Sequence, residues 1–391
     1  MYANSLGVCY SKWLISNKKS FNSFNLQILL NMYRNIIVIC VLVIISLSGC
    51  AAITQSEPTE AIVEVLYATD RNITGNQDPK LFYGIERGEM HYGSCKVAIN
   101  IESSKSEFAD SSIWSAGFED QPDERYELRE ITKLEKGDFF AKFADRINAS
   151  NDKSALVYIH GYYRTFEIAA KTAATLVYEI RYQGTPVLFS WPSRHELSAY
   201  HGDMTSIDWA TAHMRNFLEE IALQTNVQTI HVIAHSMGNR GFLNAFVELL
   251  KNPDIKNNWK FGEIILVAPD LDRQTFERDF APIITNTPSR ITLYVSAVDI
   301  PLMASKIVNL YPRLGDISEE PVIIDGIQTI DASRVANLAT GHTYYRESPR
   351  VMADLYYLLN EHRDASQRPT LRRVDTPRGQ YWQVQQNQIG P

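Results

Sequence analysis

The stretch "HVIAHSMGNR", residues 231–240, sets Ser236 at the end of an apolar run and directly ahead of an amphipathic one. A serine hydroxyl is a weak nucleophile until a neighbouring base takes its proton. It must also stand clear of the backbone to reach a carbonyl carbon. A tight strand–turn–helix elbow provides this, and it needs small residues two places to either side of the serine. Ala234 and Gly238 fill those places, a variant of G-x-S-x-G with alanine where glycine is commoner. A helix opening at Met237 would aim backbone N–H groups at the site, and the Met237 N–H could hold a developing oxyanion.

The other residues that chemistry would require appear in the expected places. "ALVYIHGYYRTF" puts His160-Gly161 at the end of an earlier apolar strand, and the loop there is read as supplying the second oxyanion donor, the N–H of Tyr162. His160 is expected to orient that loop rather than act as the base. "FSWPS", residues 189–193, ends the next strand at the same sheet edge, so Trp191 is a candidate pocket wall, with core-edge packing the equal alternative. Beyond Ser236 the chain holds two histidines. His342 lies in "ATGHTYYRES", a loop able to swing over the sheet, and is taken as the base; His362 reads as solvated. His235 should point away from Ser236. Three carboxylates end strands and could orient an imidazole: Asp299, Asp270 and Asp331. Asp299 is preferred, because the acid of such a triad more often follows the later strand. Asp270 or Asp272 could instead cap a helix near Gln274, and Asp331 a turn. Tyr162, Tyr163, Tyr344 and Tyr345 suggest an aromatic pocket for an acyl or aryl ester, or equally loop packing.

These residues need elements to position them. Strands are predicted at 61–69, 95–101, 155–161, 185–192, 229–236, 262–270, 290–299 and 321–331. Helices are predicted over about 165–184, 206–223, 238–251 and 348–361. Apolar strands alternating with helices indicate a mostly parallel sheet covered on both faces, an α/β class. The catalytic domain is placed at 62–363, and the polar tail, 364–391, is expected to be disordered.

With 391 residues, 45% of them hydrophobic, the chain can bury a large core. Its net charge of −7, without a basic face, argues against a nucleic-acid partner. No metal-ligand spacing is evident, so neither metal nor cofactor is expected. The N-terminus carries an address instead. "IIVICVLVIIS", residues 36–46, is too short to span a bilayer comfortably and runs into "LSGCAA", which resembles the lipobox of bacterial lipoproteins. On that reading Met32 is the start, 1–31 an upstream extension, 32–49 a signal peptide, Cys50 the lipidated residue, and 50–61 a linker. The protein would be anchored facing the periplasm, on the outer membrane because Ala51 rather than Asp follows the cysteine. Cys95 reads as strand interior.

"VLYATDRN", "VYIHGYYRTFEIAA", "VLFSWPS", "HVIAHSMGNR", "VAPDLD", "TLYVSAVD" and "GHTYY" together resemble a bacterial α/β-hydrolase-fold family of unknown function, often labelled esterase/lipase-like. The resemblance runs from about residue 62 to 360. It implies a serine-hydrolase site with Ser236, Asp299 and His342 at the expected positions, and it implies no particular substrate. The activity expected is cleavage of a small acyl ester. The alternatives are acyl transfer by the same serine, or a non-catalytic envelope module that kept the fold.

Overall fold

The computed structural model describes residues 32–34, 59–101, 125–336 and 342–386. The lipobox, Cys50, the apolar run before it, the upstream extension 1–31 and Gly341 lie outside the described residues. Among the described residues no helix is long and apolar enough to cross a membrane.

The strands bury alternate side chains on two faces, as a sheet with helices on both sides must. Along β4 (Ser154–Ile159), Ala155, Val157 and Ile159 join one core layer while Leu156 and Tyr158 join the other. The same alternation runs through β6 (Thr229–His235) and β7 (Phe261–Val267). One layer is closed by α1 (Lys136–Ala149), α3 (Tyr200–Gln224) and α4 (Gly238–Leu249), through Phe139, Phe217 and Phe242 among others. The opposite layer is closed by α2 (Phe166–Glu179) and α6 (Pro349–Leu359), through Phe166, Ala173 and Leu355.

The remaining strands are β1 (Glu60–Ile73), β2 (Tyr83–Asn100), β3 (Tyr126–Leu134), β5 (Thr185–Ser190), β8 (Arg290–Val295), β9 (Ile327–Asp331), β10 (Leu371–Thr376) and β11 (Gly379–Val384). All eleven form one sheet in the order β10-β11-β9-β8-β7-β6-β4-β5-β1-β2-β3. Pairing is parallel from β11 across to β1 and antiparallel in the two flanking parts, β1-β2-β3 and β10-β11. Parallel pairing puts the ends of β4, β5, β6 and β8 on one edge, where the candidate residues sit. A fifth helix, α5 (Ile300–Asn309), leaves that edge after β8.

Two regions depart from the expectation. Segment 83–149 holds a long antiparallel strand, a second strand and a helix, where only 95–101 was predicted. β3, "YELREITKL", is an edge strand whose exposed positions carry charge, which hides its strand character from a hydrophobicity reading. The tail is the second correction. Residues 365–386 are ordered, and the β10–β11 hairpin extends the sheet through pairs such as Trp382 with Ile330. Its apolar content is low because only Leu371 and Val384 are fully inserted. What holds it in addition is polar: Arg368, with no exposed side-chain surface, sits 2.8 Å from the equally buried Asp354, and Gln383 donates to Asp331 at 2.7 Å.

Removing one partner of a buried ion pair leaves the other uncompensated, which typically costs about 3–5 kcal/mol. Arg368→Ala should therefore lower the unfolding free energy by that order, read as a fall in the urea midpoint, and Arg368→Lys by less. An unchanged midpoint would show that the hairpin is dispensable to the domain.

Candidate active site

β6 ends at His235 and α4 starts at Gly238, so the chain turns within two residues. Ser236 has φ 52°, in the left-handed region. That conformation costs a non-glycine residue about 1–3 kcal/mol and persists only where its surroundings impose it. They do so here through the backbone. The Ser236 N–H donates to Val267 O at 2.9 Å, and the Ser236 carbonyl accepts from the N–H groups of Asn239 and Asp270 and from Asn239 Nδ2 at 3.0–3.2 Å.

The glycines predicted for the turn have a physical reason. A Cβ on Gly161 would lie 2.6 Å from the Cβ of Ser236. One on Gly238 would collide with the His160 carbonyl and come within 3.0 Å of the Ile159 carbonyl. The loop after β4 and the elbow after β6 are thus in backbone contact, a separation no side chain could share. Among the described residues, the backbone N–H groups of Met237 and Tyr162 meet no backbone acceptor.

The three candidate acids separate by their partners. Asp299 is fully buried and accepts from the Leu302 N–H at 2.9 Å, capping α5. Both of its oxygens lie 2.9–3.0 Å from Nδ1 of His342. A carboxylate only accepts, so Nδ1 carries a proton and Nε2 is left as the basic nitrogen. Burial pushes the Asp299 carboxyl up, while the His342 imidazole and the Leu302 N–H pull against it. Asp270 is committed elsewhere: Arg313 Nε at 2.8 Å, the Ser305 hydroxyl at 2.6 Å and the Tyr200 hydroxyl at 2.8 Å. Asp331 accepts from the Ser333 N–H, and Asp272 caps the turn at Thr275.

His235 turns from the serine and packs on His342, with ring centroids 4.7 Å apart and Nε2 3.0 Å from the His342 carbonyl. Burial holds its pKa well below the usual histidine range, so it supports the His342 loop as a neutral ring. His160 and Trp191 are both fully buried and do not line the cavity, so of the two readings of Trp191 the structure takes core-edge packing over the pocket wall. Trp191 stacks on His160 at 5.0 Å and donates to its carbonyl. A large ring at the strand end is more useful there for fixing the loop backbone than for touching a ligand.

Arg71 was not anticipated. It is fully buried at the end of β1 and donates to Ser190 Oγ, to the carbonyls of Gly84 and Ser193, and to the Arg164 carbonyl at 2.7 Å. Its Nη2 also reaches His160 Nε2. Burial pushes its pKa down to about 9, opposed by Asp70 and Asp203, so it stays cationic at neutral pH. This one side chain fastens the loop after β4 to β1, β2 and β5. The "DRN" in the sequence gave no sign of burial, since a lone arginine ordinarily lies at the surface.

Ser236 and His342 open on one cavity of about 260 Å³. Tyr162, Tyr163, Leu197 and Tyr200 form one part of its wall, and Leu302 and Val308 of α5 another. Tyr344 and Tyr345 are buried in the core, so of the four tyrosines two line the cavity and two pack.

A mainly parallel sheet between helix layers, with a serine elbow where a central strand hands over to a helix, defines an α/β hydrolase. Residues 135–360 match the family described as alpha/beta hydrolase of unknown function (DUF900), and the chain belongs to that family. Similar solved structures include an arylesterase, 13% identical over 54% of this chain and 77% of that one, TM-score 0.29. Another comes from two fungal esterases from Rhizomucor miehei, 9% identical over 77% of this chain and 84% of that one, TM-score 0.31. A third is esterase Est22, 11% identical over 76% and 78%, TM-score 0.29. No curated protein sequence matches the chain.

Gly238→Ala forces the elbow off the His160 carbonyl, and overpacking of this kind costs about 1–3 kcal/mol. The urea midpoint should drop accordingly, and a fall of the same order is expected for Gly161→Ala. Two alanine variants as stable as wild type would mean that the two segments can separate without cost.

Proposed function

We propose that the protein is a serine hydrolase that cleaves carboxylic esters in the bacterial envelope, with Ser236 as nucleophile, His342 as base and Asp299 as orienting acid. The observation that carries the reading is the buried Asp299–His342 hydrogen bond, opening on the same cavity as a serine held at positive φ. Ser236 Oγ attacks the ester carbonyl carbon and His342 Nε2 takes its proton. The Met237 and Tyr162 N–H groups receive the tetrahedral oxyanion. Collapse expels the alcohol, which leaves with the proton from His342. Water then attacks the acyl-enzyme, gives a proton to His342, and releases the carboxylic acid as Ser236 recovers its hydrogen. The balance is ester plus water to acid plus alcohol.

A fluorophosphonate probe should label wild type and leave Ser236→Ala unlabelled at an unchanged unfolding midpoint. Asp299→Asn is an informative companion, because asparagine caps a helix as well as aspartate does. The variant should fold and yet lose about 10⁴ in turnover, since the amide no longer fixes the His342 tautomer. Asp270→Asn should mainly cost stability, because Arg313 is left buried without its carboxylate. Labelling of Ser236→Ala equal to wild type, or an Asp299→Asn enzyme as fast as wild type, would sink the assignment.

The envelope location rests on the lipobox-like "LSGCAA". Cys50→Ser should move the protein from the membrane to the soluble fraction. Retention of the variant in membranes would show that residues 36–46 act as an uncleaved anchor.

A further inference from the structure

The helix that begins at Asp299 has apolar side chains on both sides. Leu302 and Val308 face the cavity that holds Ser236, while Ile300, Met303 and Ile307 lie exposed along its outer side. Leu310 and Tyr311 continue the outer surface. Of the fourteen large hydrophobic residues that are exposed among the described residues, six fall within 300–311. A seventh, Leu197, is exposed on the cavity wall contributed by the chain before α3. Scattered exposed leucines need no explanation, but a contiguous patch around a cavity mouth does.

Two further features set this rim apart. Leu310 ends α5 at φ 63° and is 83% exposed. A left-handed helix cap ordinarily calls for glycine or asparagine. Here a leucine accepts the strain and gains no burial within the chain. Residues 300–312 themselves contain no aspartate or glutamate in a chain of net charge −7. The one cation, Lys306, is engaged by Glu319 at 2.5 Å.

We propose that this rim docks on a lipid surface, and that the ester cleaved at Ser236 is drawn with its acyl chain from a bilayer or micelle into the cavity. The substrate class is then a lipid ester, and the inference rests on the hydrolase reading above. A lipid surface fits better than a protein partner because the exposed side of α5 is continuous, across Val308, with the apolar wall of the reactive cavity. A protein seated there would seal the mouth, whereas lipid supplies it. Nine residues lie between Cys50 and Glu60, the start of β1, and the ten steps reach at most about 35 Å when extended. An anchor at Cys50 would hold Glu60 within that distance of the bilayer, and the parallel pairing of β1 with β5 puts Glu60 at the sheet edge opposite the site.

The test uses the full chain and two esters: p-nitrophenyl acetate in free solution, and tributyrin taken across its solubility limit. The comparison is with the triple variant Met303→Gln, Ile307→Gln, Leu310→Gln, all three outside the cavity lining. Wild-type turnover of tributyrin should climb at least about tenfold once droplets form, the factor expected when even one large apolar side chain leaves water. The variant should match wild type on p-nitrophenyl acetate and lose the climb. Retention of the climb by the variant would overturn the proposal. So would its absence in a wild type that still turns over p-nitrophenyl acetate, and in that case the hydrolase reading stands. A wild-type dimer that becomes monomeric in the triple variant would reassign the face to a second copy of the chain. No turnover of either ester together with no labelling of Ser236 would remove the hydrolase reading itself, and the lipid-ester proposal with it.

Discussion

The site depends on the direct contact of two backbone segments, the loop after β4 and the elbow after β6. Gly161 and Gly238 let them meet at a distance that excludes any Cβ. That contact keeps Ser236 at positive φ and brings together the segments that carry Tyr162 and Met237. Strain of this size needs a stiff frame. The frame is the parallel register of β4 with its neighbours, where Val157 faces Val187 on β5 and Val232 on β6. Arg71 and the His160–Trp191 stack then fix the loop from behind.

Around this contact three buried carboxylates each hold a partner of their own. Asp299 holds His342, Asp270 holds Arg313, and Asp354 holds Arg368. Buried ions are expensive unless paired and hydrogen-bonded, so this partition restricts how the loops can rearrange. It also assigns the tasks of the two carboxylates nearest the serine. Asp299 acts on the imidazole, and Asp270 organises Tyr200 and Ser305 on the cavity wall. Because Asp299 also caps α5, the position of the acid and the position of the apolar rim are set by the same hydrogen-bonded turn.

The fold was legible where burial is two-sided. β4, β6, β7 and β8 are continuous apolar runs, and each appears within a few residues of its predicted span. The edges were not, because β3 and the β10–β11 hairpin bury one face or less and their sequences are dominated by what solvent sees. At the site, Ser236, Asp299 and His342 could be singled out because the chemistry demands specific residue types at strand ends. The structure brings the acid and imidazole into hydrogen bond and sets the serine in the same cavity. Arg71, Tyr200 and Arg313 could not be found that way. Their roles come from long-range packing, which leaves no periodicity in the local sequence. Trp191 could not be decided from sequence: a large aromatic at the right strand end fits a wall or core-edge packing equally, and only its stack on His160 selects the second.

The most direct test of the account is a crystal structure of the protein after reaction with a fluorophosphonate. Phosphorus should be bonded to Ser236 Oγ, with its non-bridging oxygen about 3 Å from both the Met237 and Tyr162 N–H groups. The Asp299–His342 hydrogen bond should be unchanged from the 2.9 Å seen here. Phosphorus on another residue, or an oxygen turned from both N–H groups while His342 has left Asp299, would contradict it.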